Sequence, residues 1–427
     1  MKMTQYDDLE ETVYTLTLNN GLKVTLIPKK EMFKTFGIFA TQFGSIDRTF
    51  KPLGGDRLIT VPDGIAHFLE HKLFEKEDHD VFSTFSQLGA SVNAYTSSTK
   101  TAYLFSCTDH VEENLTTLID FVQDPYFSEA SVEKEKGIIA QEIMMYEDQP
   151  DWQAYMGTIK NLFANHPVNK DIAGTVESIQ RITVEDLYMC YNTFYHPSNM
   201  MLLLIGQFDI EKVIPLIENN QAAKTFPPLS KIQRGTIDET RASAKQEDAQ
   251  TMNISVPKCT VGVKTSTRML EGEAFLKHEL CQSIVLDYYF SIGGPYYQRL
   301  YDKNLIDDRF QVSSELEKSY GFSMISSYTN DPKTFADEVK QLLLNIHLET
   351  IDEEAFLDMK KKRMGQLLQA MNVLEFTANQ YVHYHSLNVD FFSLIPHIQA
   401  LQLEEINTFL KNWITEDQLT VFTIHPA

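Results

Sequence analysis

The sequence partly repeats itself. Ile182-Thr-Val-Glu-Asp-Leu187, a helical stretch, and then residues 199–205 (N-M-M-L-L-L-I) align without a gap on Leu401-Gln-Leu-Glu-Glu-Ile406 and residues 418–424 (Q-L-T-V-F-T-I), about half a chain further on. A helix leading into a short apolar strand is a common arrangement and can recur by coincidence. Duplication is favoured because Pro227, Pro228 and the polar stretch 230–250, nearly free of large apolar residues, form a linker where a duplication would place one. The expected fold is therefore α+β, with two homologous halves, each a mostly antiparallel sheet with helices packed on one face. The expected domains are 1–225, a linker at 226–250, and a homologous domain at 251–427.

Local patterns agree with that class. Residues 23–28 and 35–43 are rich in β-branched and aromatic side chains and read as strands, as do 91–98 and 101–108. Helices are expected at about 64–74, 111–121 and 131–146, the first with Asp63 in capping position after Pro62. At 427 residues and 43% hydrophobic content, the chain is long enough to bury the core of each half.

Charge narrows the partners. Thirty-seven Lys and Arg against 59 Asp and Glu give a formal charge of −22, which argues against nucleic acid and anionic membrane surfaces, both of which need clustered cations. An acidic surface is also what keeps an ordinary protein in solution. Cys107, Cys190, Cys259 and Cys281 are scattered and read as reduced core thiols. The N-terminal segment is acidic where a secretory signal needs an apolar stretch, and no window reaches the roughly 18 apolar residues of a membrane span. A cytoplasmic protein is expected.

The chemistry is concentrated in Gly64-Ile-Ala-His67-Phe-Leu-Glu70-His71. On a helix, His71 lies about 40° round from His67 and Glu70 about 60° to its other side, so all three leave one face. Two imidazoles one turn apart can share a metal ion. Zinc (Zn2+) suits two nitrogens and a carboxylate with a fourth position open to water. Glu70, beside that water, has the place of a general base that takes a proton and later gives it to a leaving amine. The bland alternative is a helix with two polar core histidines. The order H-x-x-E-H reverses the commoner H-E-x-x-H.

A third ligand is needed. Glu135 and Glu142 in Glu133-Lys-Glu135-Lys-Gly-Ile-Ile-Ala-Gln-Glu142-Ile are seven apart and fall within about 20° of one helix face. One can bind the metal while the other orients a histidine. Spacing does not say which, and acids on a charged helix are commonly solvated surface.

H-F-L-E-H, then A-S-V-N-A-Y-T-S (Ala90 to Ser97), then E-K-E-K-G-I-I-A-Q-E-I (Glu133 to Ile143) resembles the inverted-zinc-motif peptidases, the family of insulin-degrading enzyme, pitrilysin and the mitochondrial processing peptidase. The resemblance is strongest over about residues 20–220. The length is similar to that of the short members, which hold one homologous pair of domains per chain, and more narrowly the chain resembles bacterial members encoded beside a motif-lacking paralogue, including those associated with modification of a translation elongation factor. The resemblance implies a zinc endopeptidase that encloses an extended peptide in a chamber closed by dimerisation. It makes His67, His71 and Glu142 the zinc ligands, Glu70 the base and Glu135 the supporting acid, because the family places its ligand glutamate at the later position of the pair. Asn93 and Ala94 match the family's edge strand, which pairs with extended substrate.

One departure concerns the second half. Active relatives carry there an Arg and a Tyr seven residues apart that hold the substrate carbonyl. At the matching segment this chain reads Arg299-Leu-Tyr301-Asp-Lys-Asn-Leu-Ile306-Asp-Asp-Arg309, with both residue types but another spacing. The second half has no further H-x-x-E-H, and the His-rich Tyr381-Val-His383-Tyr-His385 reads as interface or core. Two readings follow: a peptidase with Arg299 and Tyr301 or a paralogue's pair on the substrate, or a non-catalytic chamber subunit with a structural zinc. The dimer is accordingly a heterodimer with a paralogue or a homodimer.

Overall fold

A computed structural model describes the chain except at residues 78–79, 229–230 and 266–269. Part of the stretch expected as linker, 229–230, thus lies outside the described residues. The first sheet contains β1 (Lys2–Tyr6), β2 (Glu11–Thr17), β3 (Lys23–Pro28), β4 (Thr35–Thr41), β5 (Ser91–Thr96), β6 (Thr101–Cys107) and β7 (Met200–Gly206), in the order β1-β2-β3-β7-β4-β6-β5. Strand β7, Met-Met-Leu-Leu-Leu-Ile-Gly, is buried along its whole length, as expected of a central strand covered on both faces. It runs parallel to β3 and antiparallel to β4.

The second sheet contains β8 (Glu247–Met252), β9 (Lys258–Thr265), β10 (Gln311–Leu316), β11 (Gly321–Tyr328) and β12 (Leu419–Pro426), in the order β8-β12-β9-β11-β10. It repeats the β3-β7-β4-β6-β5 portion of the first sheet strand for strand. β12, like β7, has one parallel and one antiparallel neighbour. Each of these central strands follows a helix, Val184–Phe194 or Leu403–Asn412. The repeated segments noted in the sequence are the starts of those helices. Both begin in capping-box fashion: the Asp186 and Glu405 carboxylates accept from the Thr183 and Gln402 amides at 3.1 and 2.9 Å, and Thr183 Oγ1 accepts in turn from the Asp186 amide at 3.1 Å. The fold is α+β with two homologous halves, mixed helices and mostly antiparallel sheets.

Five helices recur below: α1 (Ile65–Leu73), α2 (Glu129–Glu147), α3 (Pro150–Leu162), α4 (Pro295–Asp302) and α5 (Leu374–Ser386). By contacts the chain forms two compact units. One comprises Met1–Ile143, Lys170–Thr236 and Met371–His383, and the other Met144–Asn169, Ile237–Ala370 and Tyr384–Ala427. The second unit thus holds α3, which packs on β8, β9 and β12. The approach is close because Gly157 faces the Phe422 ring, where a Cβ would lie 2.3 Å away. Asp151 at the start of α3 pairs with Lys258 at 2.7 Å, and Asn161 near its end donates to the Val421 carbonyl. The first unit holds most of α5, tied down by an ion pair between Lys34 and Glu375 and by Tyr95 donating to Asn379 at 2.7 Å. The four cysteines are free and buried. Among the described residues no helix is long and apolar enough to cross a membrane.

Helix α1 packs on β5 and β6. Ile65, Phe68, Leu69 and Leu73 are buried in the first unit's core, each worth about 1.5–3 kcal/mol. Its start differs from the expected side-chain cap. The N-cap is Gly64 at φ 92°, with no side-chain hydrogen bond. Asp63 instead pairs with Arg48 at 3.0 Å, and its carbonyl accepts from Ser178 Oγ at 2.8 Å. The physical reason is a backbone-on-backbone contact. A Cβ on Gly64 would lie 2.4 Å from the Ala173 carbonyl oxygen, and one on Gly174, itself at φ 79°, 2.5 Å from the Asp63 carbonyl oxygen. Both positions need a left-handed backbone and no side chain.

Gly174→Ala should therefore cost about 2–4 kcal/mol, the left-handed penalty for alanine plus displacement of the Asp63 carbonyl. Denaturant unfolding measures this. A midpoint equal to the parent's would show that the contact relaxes without cost.

Candidate metal centre

Helix α1 presents His67, Glu70 and His71 from one face, and α2 brings Glu135 and Glu142 against them. Helix α2 buries only a narrow stripe, with Val132, Ile139 and Ile143 among its buried residues. Glu135 and Glu142 share that stripe at helical spacing, which turns them inward while the remaining acids of the helix face water.

The groups converge tightly. His67 Nε2 lies 3.7 Å from Glu142 Oε1, and His71 Nε2 lies 3.8 Å from Glu142 Oε2. One ligand atom from each of the three residues falls within 4.8 Å of the others. These separations exceed hydrogen-bond range and approach the ~3.4 Å between ligand atoms of a tetrahedral ion bound at about 2.0–2.1 Å. His71 Nδ1 is 3.0 Å from Glu135 Oε1. With a carboxylate as acceptor, the proton of a neutral imidazole resides on Nδ1, and the Nε2 lone pair points toward Glu142. Two nitrogens and a carboxylate oxygen, one histidine oriented by a second carboxylate, are a donor set that fits zinc.

Electrostatics separates the two imidazoles. Burial, with the neighbouring His71, pushes His67 down to about 3, so it is neutral whenever His71 can titrate. Burial also pulls on His71, but the Glu135 hydrogen bond and the charges of Glu70, Glu135 and Glu142 outweigh it and raise its pKa. Glu70 is buried, which raises its pKa, as does the charge of Glu142. His71 and a hydrogen bond from Thr96 Oγ1 to Glu70 Oε2, at 2.9 Å, offset this in part. The fully buried Lys72 ammonium pairs with Glu75 and lies 3.9 Å from Glu135 Oε2, a counter-charge on the far side of the carboxylate that holds His71.

The structure thus brings together His67, Glu70, His71, Glu135 and Glu142. Asn93 and Ala94 lie on β5, at the end of the first sheet, with β6 as its neighbour in the sheet and the Asn93 side chain accepting the Ala94 N–H at 2.9 Å. Arg299 and Tyr301 belong to α4 in the second unit. Arg299 Nε is paired with Glu338 at 2.5 Å, and that carboxylate also takes Lys303 at 2.6 Å. Tyr301 is exposed and stacks on Tyr297. His383 is pushed down to about 3 by burial and by Lys100, and is neutral. Sequence reasoning missed Thr96 and Lys72. Thr96 lay inside the quoted A-S-V-N-A-Y-T-S stretch, two residues from Ala94 and so on the same side of the strand, and Lys72 was a cation inside the apolar continuation of the motif helix.

Comparison with known proteins places the chain in a family. The insulinase family (peptidase family M16) matches residues 61–176, and the peptidase M16 inactive domain matches 181–363. "Uncharacterized zinc protease YmfH" of Bacillus subtilis is 46% identical over 100% of this chain and 99% of its own length. "Uncharacterized zinc protease YmxG" of the same organism is 23% identical, covering 83% of this chain and 87% of its own. The crystal structure of a "putative M16-like peptidase" from Alicyclobacillus acidocaldarius superposes with a TM-score of 0.93 at 38% identity, over 98% of this chain and 99% of that one. A protease from Helicobacter pylori shares the fold at a TM-score of 0.83 and 16% identity, over 97% of this chain and 99% of that one. With its H-x-x-E-H helix in the first matched region and the second region matching the inactive domain, the chain belongs to the insulinase family, peptidase family M16.

Proposed function

We propose that the protein is a zinc-dependent endopeptidase that hydrolyses peptide bonds of extended peptides. The observation that carries this reading is the convergence of His67 Nε2 and His71 Nε2 on the two oxygens of Glu142, with the Glu70 carboxylate on the same helix face. The zinc-protease names of the relatives support it. A zinc ion held by His67, His71 and Glu142 would supply Lewis acidity to the scissile carbonyl and a water activated near neutral pH. Glu70 would take a proton from the attacking water and deliver it to the departing amine. Its burial, offset in part by His71 and Thr96, suits both steps, since a base that is too weak does not accept and an acid that is too strong does not hold the proton. Glu135 fixes the His71 ring. Strand β5, through Asn93 and Ala94, offers backbone groups to an extended peptide as an added strand.

The second reading is a non-catalytic chamber subunit or scaffold that keeps a structural zinc. One observation favours it: Arg299, the expected holder of the substrate carbonyl, is committed to Glu338. The same observation motivates a dimer with a paralogue that supplies the Arg and Tyr and closes the chamber; a homodimer using Arg299 and Tyr301 is the competing assembly. Four buried free thiols support a cytoplasmic site of action.

Purified protein is expected to hold about one zinc per chain, which Glu142→Gln should empty, while Glu135→Gln should lower zinc affinity by ~10- to 100-fold, as loss of an orienting partner does. Chelator competition measures both. Tighter retention in Glu142→Gln than in Glu135→Gln would reverse the two roles.

Glu70→Gln should keep the zinc and lose peptide hydrolysis. The raised Glu70 pKa sets the sign of the pH effect: the base works when ionised, so activity is present above that pKa and falls as pH drops through it. The acid limb of kcat should lie above pH 4.5, the ordinary glutamate value. Hydrolysis by Glu70→Gln at the parent rate would remove the base assignment.

For the assembly, this chain alone should cleave peptides about 10²- to 10³-fold more slowly than with its paralogue, the usual effect of losing one oxyanion donor. Co-purification from the native cell followed by assays of the single chain and the pair checks this. Full activity of the single chain, lost in Arg299→Ala or Tyr301→Phe, would establish the homodimer instead.

A further inference from the structure

We propose that Thr96 is a positioning residue for Glu70: its hydroxyl holds Oε2 and leaves Oε1 as the oxygen that exchanges protons with water and leaving amine. This rests on the reading of Glu70 as the base. A glutamate side chain has three rotatable bonds, and holding it in one conformation costs entropy that a fixed partner offsets. The structure gives Glu70 such a partner on a different element, because α1 carries the carboxylate and β5 carries the threonine.

Proton accounting sets the direction of that bond. Thr96, Thr101 and Thr41 form a row across β5, β6 and β4, Thr96 opposite Thr101 and Thr101 opposite Thr41. Each hydroxyl has one proton to give. Thr41 donates to the Phe194 carbonyl at 2.6 Å and Thr101 to the Phe43 carbonyl at 2.8 Å. Thr101 lies 3.4 Å from Thr96 Oγ1, and with its own proton engaged it meets Thr96 only as an acceptor. Glu70 Oε2, nearer at 2.9 Å against 3.4 Å for Thr101, takes the Thr96 proton. Thr41 and Thr101 thus secure the strands, whereas Thr96, in a row of the same residue type, donates to a carboxylate of the metal-centre helix. Its β-branched side chain has little rotamer freedom, so the donor stays where the strand puts it.

Thr96 follows Asn93 and Ala94 on the same edge strand, so the strand proposed to take the peptide also aims the base. Nothing similar reaches Oε1 among the hydrogen bonds of the described residues.

The test compares zinc-loaded Thr96→Val, which keeps shape and removes the donor, with Thr96→Ser, which keeps the donor; Thr96→Ala serves as a second donor-free variant should the valine variant not fold. The expected result is parent zinc content in all of them, with kcat lowered about 10- to 100-fold at unchanged KM in the valine variant and restored to within a few-fold by serine. Crystal structures should show the Glu70 carboxylate turned from its parent position in the valine variant and in place in the serine variant. A Glu70 carboxylate in the parent position without the Thr96 hydroxyl, or an unchanged kcat in the valine variant, overturns the inference. If the parent protein hydrolyses no peptide, the endopeptidase reading fails, and the carboxylate position still decides the role of Thr96.

Discussion

The organising constraint is the cost of gathering three carboxylates and two imidazoles in a space largely closed to water. Burial and Glu142 raise the pKa of Glu70, burial drives His67 neutral, and His71 is drawn the other way by the acids around it. Such opposed shifts mark groups held together against their preferences. The buried ammonium of Lys72, near Glu75 and Glu135, is part of what makes the arrangement tolerable. A divalent cation among His67, His71 and Glu142 would relieve much of the rest, and so would be bound partly at the expense of stored repulsion. At its N-terminal end α1 is fixed by a close backbone contact through Gly64 and Gly174.

The duplication shows how the same frame serves another end. Between β9 and β10 the second half inserts helix Gly272–Phe290, in the slot that α1 occupies between β4 and β5, and it too packs on the strand at the end of its sheet. That helix also carries a neighbouring imidazole and carboxylate, His278 and Glu279. Burial lowers His278 and raises Glu279, but Glu279 accepts from the Tyr384 hydroxyl at 2.8 Å and His278 packs against the Phe409 ring. A second helix does bring an acid, Glu405, but it pairs with Lys277, and among the described residues no group of metal-ligand side chains forms around His278. Chemistry in this fold depends on which residues line the slot, not on the frame.

Much of this was legible because the signals were local. The period-2 and helical patterns locate strands 23–28 and 101–108 and the helices near 111–121 and 131–146 to within one or two residues, and the H-x-x-E-H spacing places three side chains on one helix face. The repeated I-T-V-E-D-L and L-Q-L-E-E-I segments were readable because capping boxes are local chemistry. What depended on tertiary contact was not. Asp63 looks like a cap, but Gly64 takes that place because Ala173 and Gly174 arrive from a hundred residues away. Glu135 and Glu142 look like surface acids until Val132, Ile139 and Ile143 are seen to share their stripe. Thr96 is one polar residue in a strand, and its partner is on a helix.

Arg299 shows the same limit in the second half. Its residue type fits the task of holding a substrate carbonyl, yet a guanidinium is available to substrate only if nothing else claims it. Burial raises the pKa of Glu338, but Lys303 and Arg299 outweigh it and hold the carboxyl below the usual glutamate value. Withdrawing Arg299 would leave a buried carboxylate with one cation in place of two, a cost that partial exposure of the arginine reduces but does not cancel. The pair stabilises the second unit at the point where the resemblance would place a catalytic arginine. A chain that has put this arginine to structural use gains most from an assembly in which a second protein provides the oxyanion contact, and that is the physical ground for proposing two different chains.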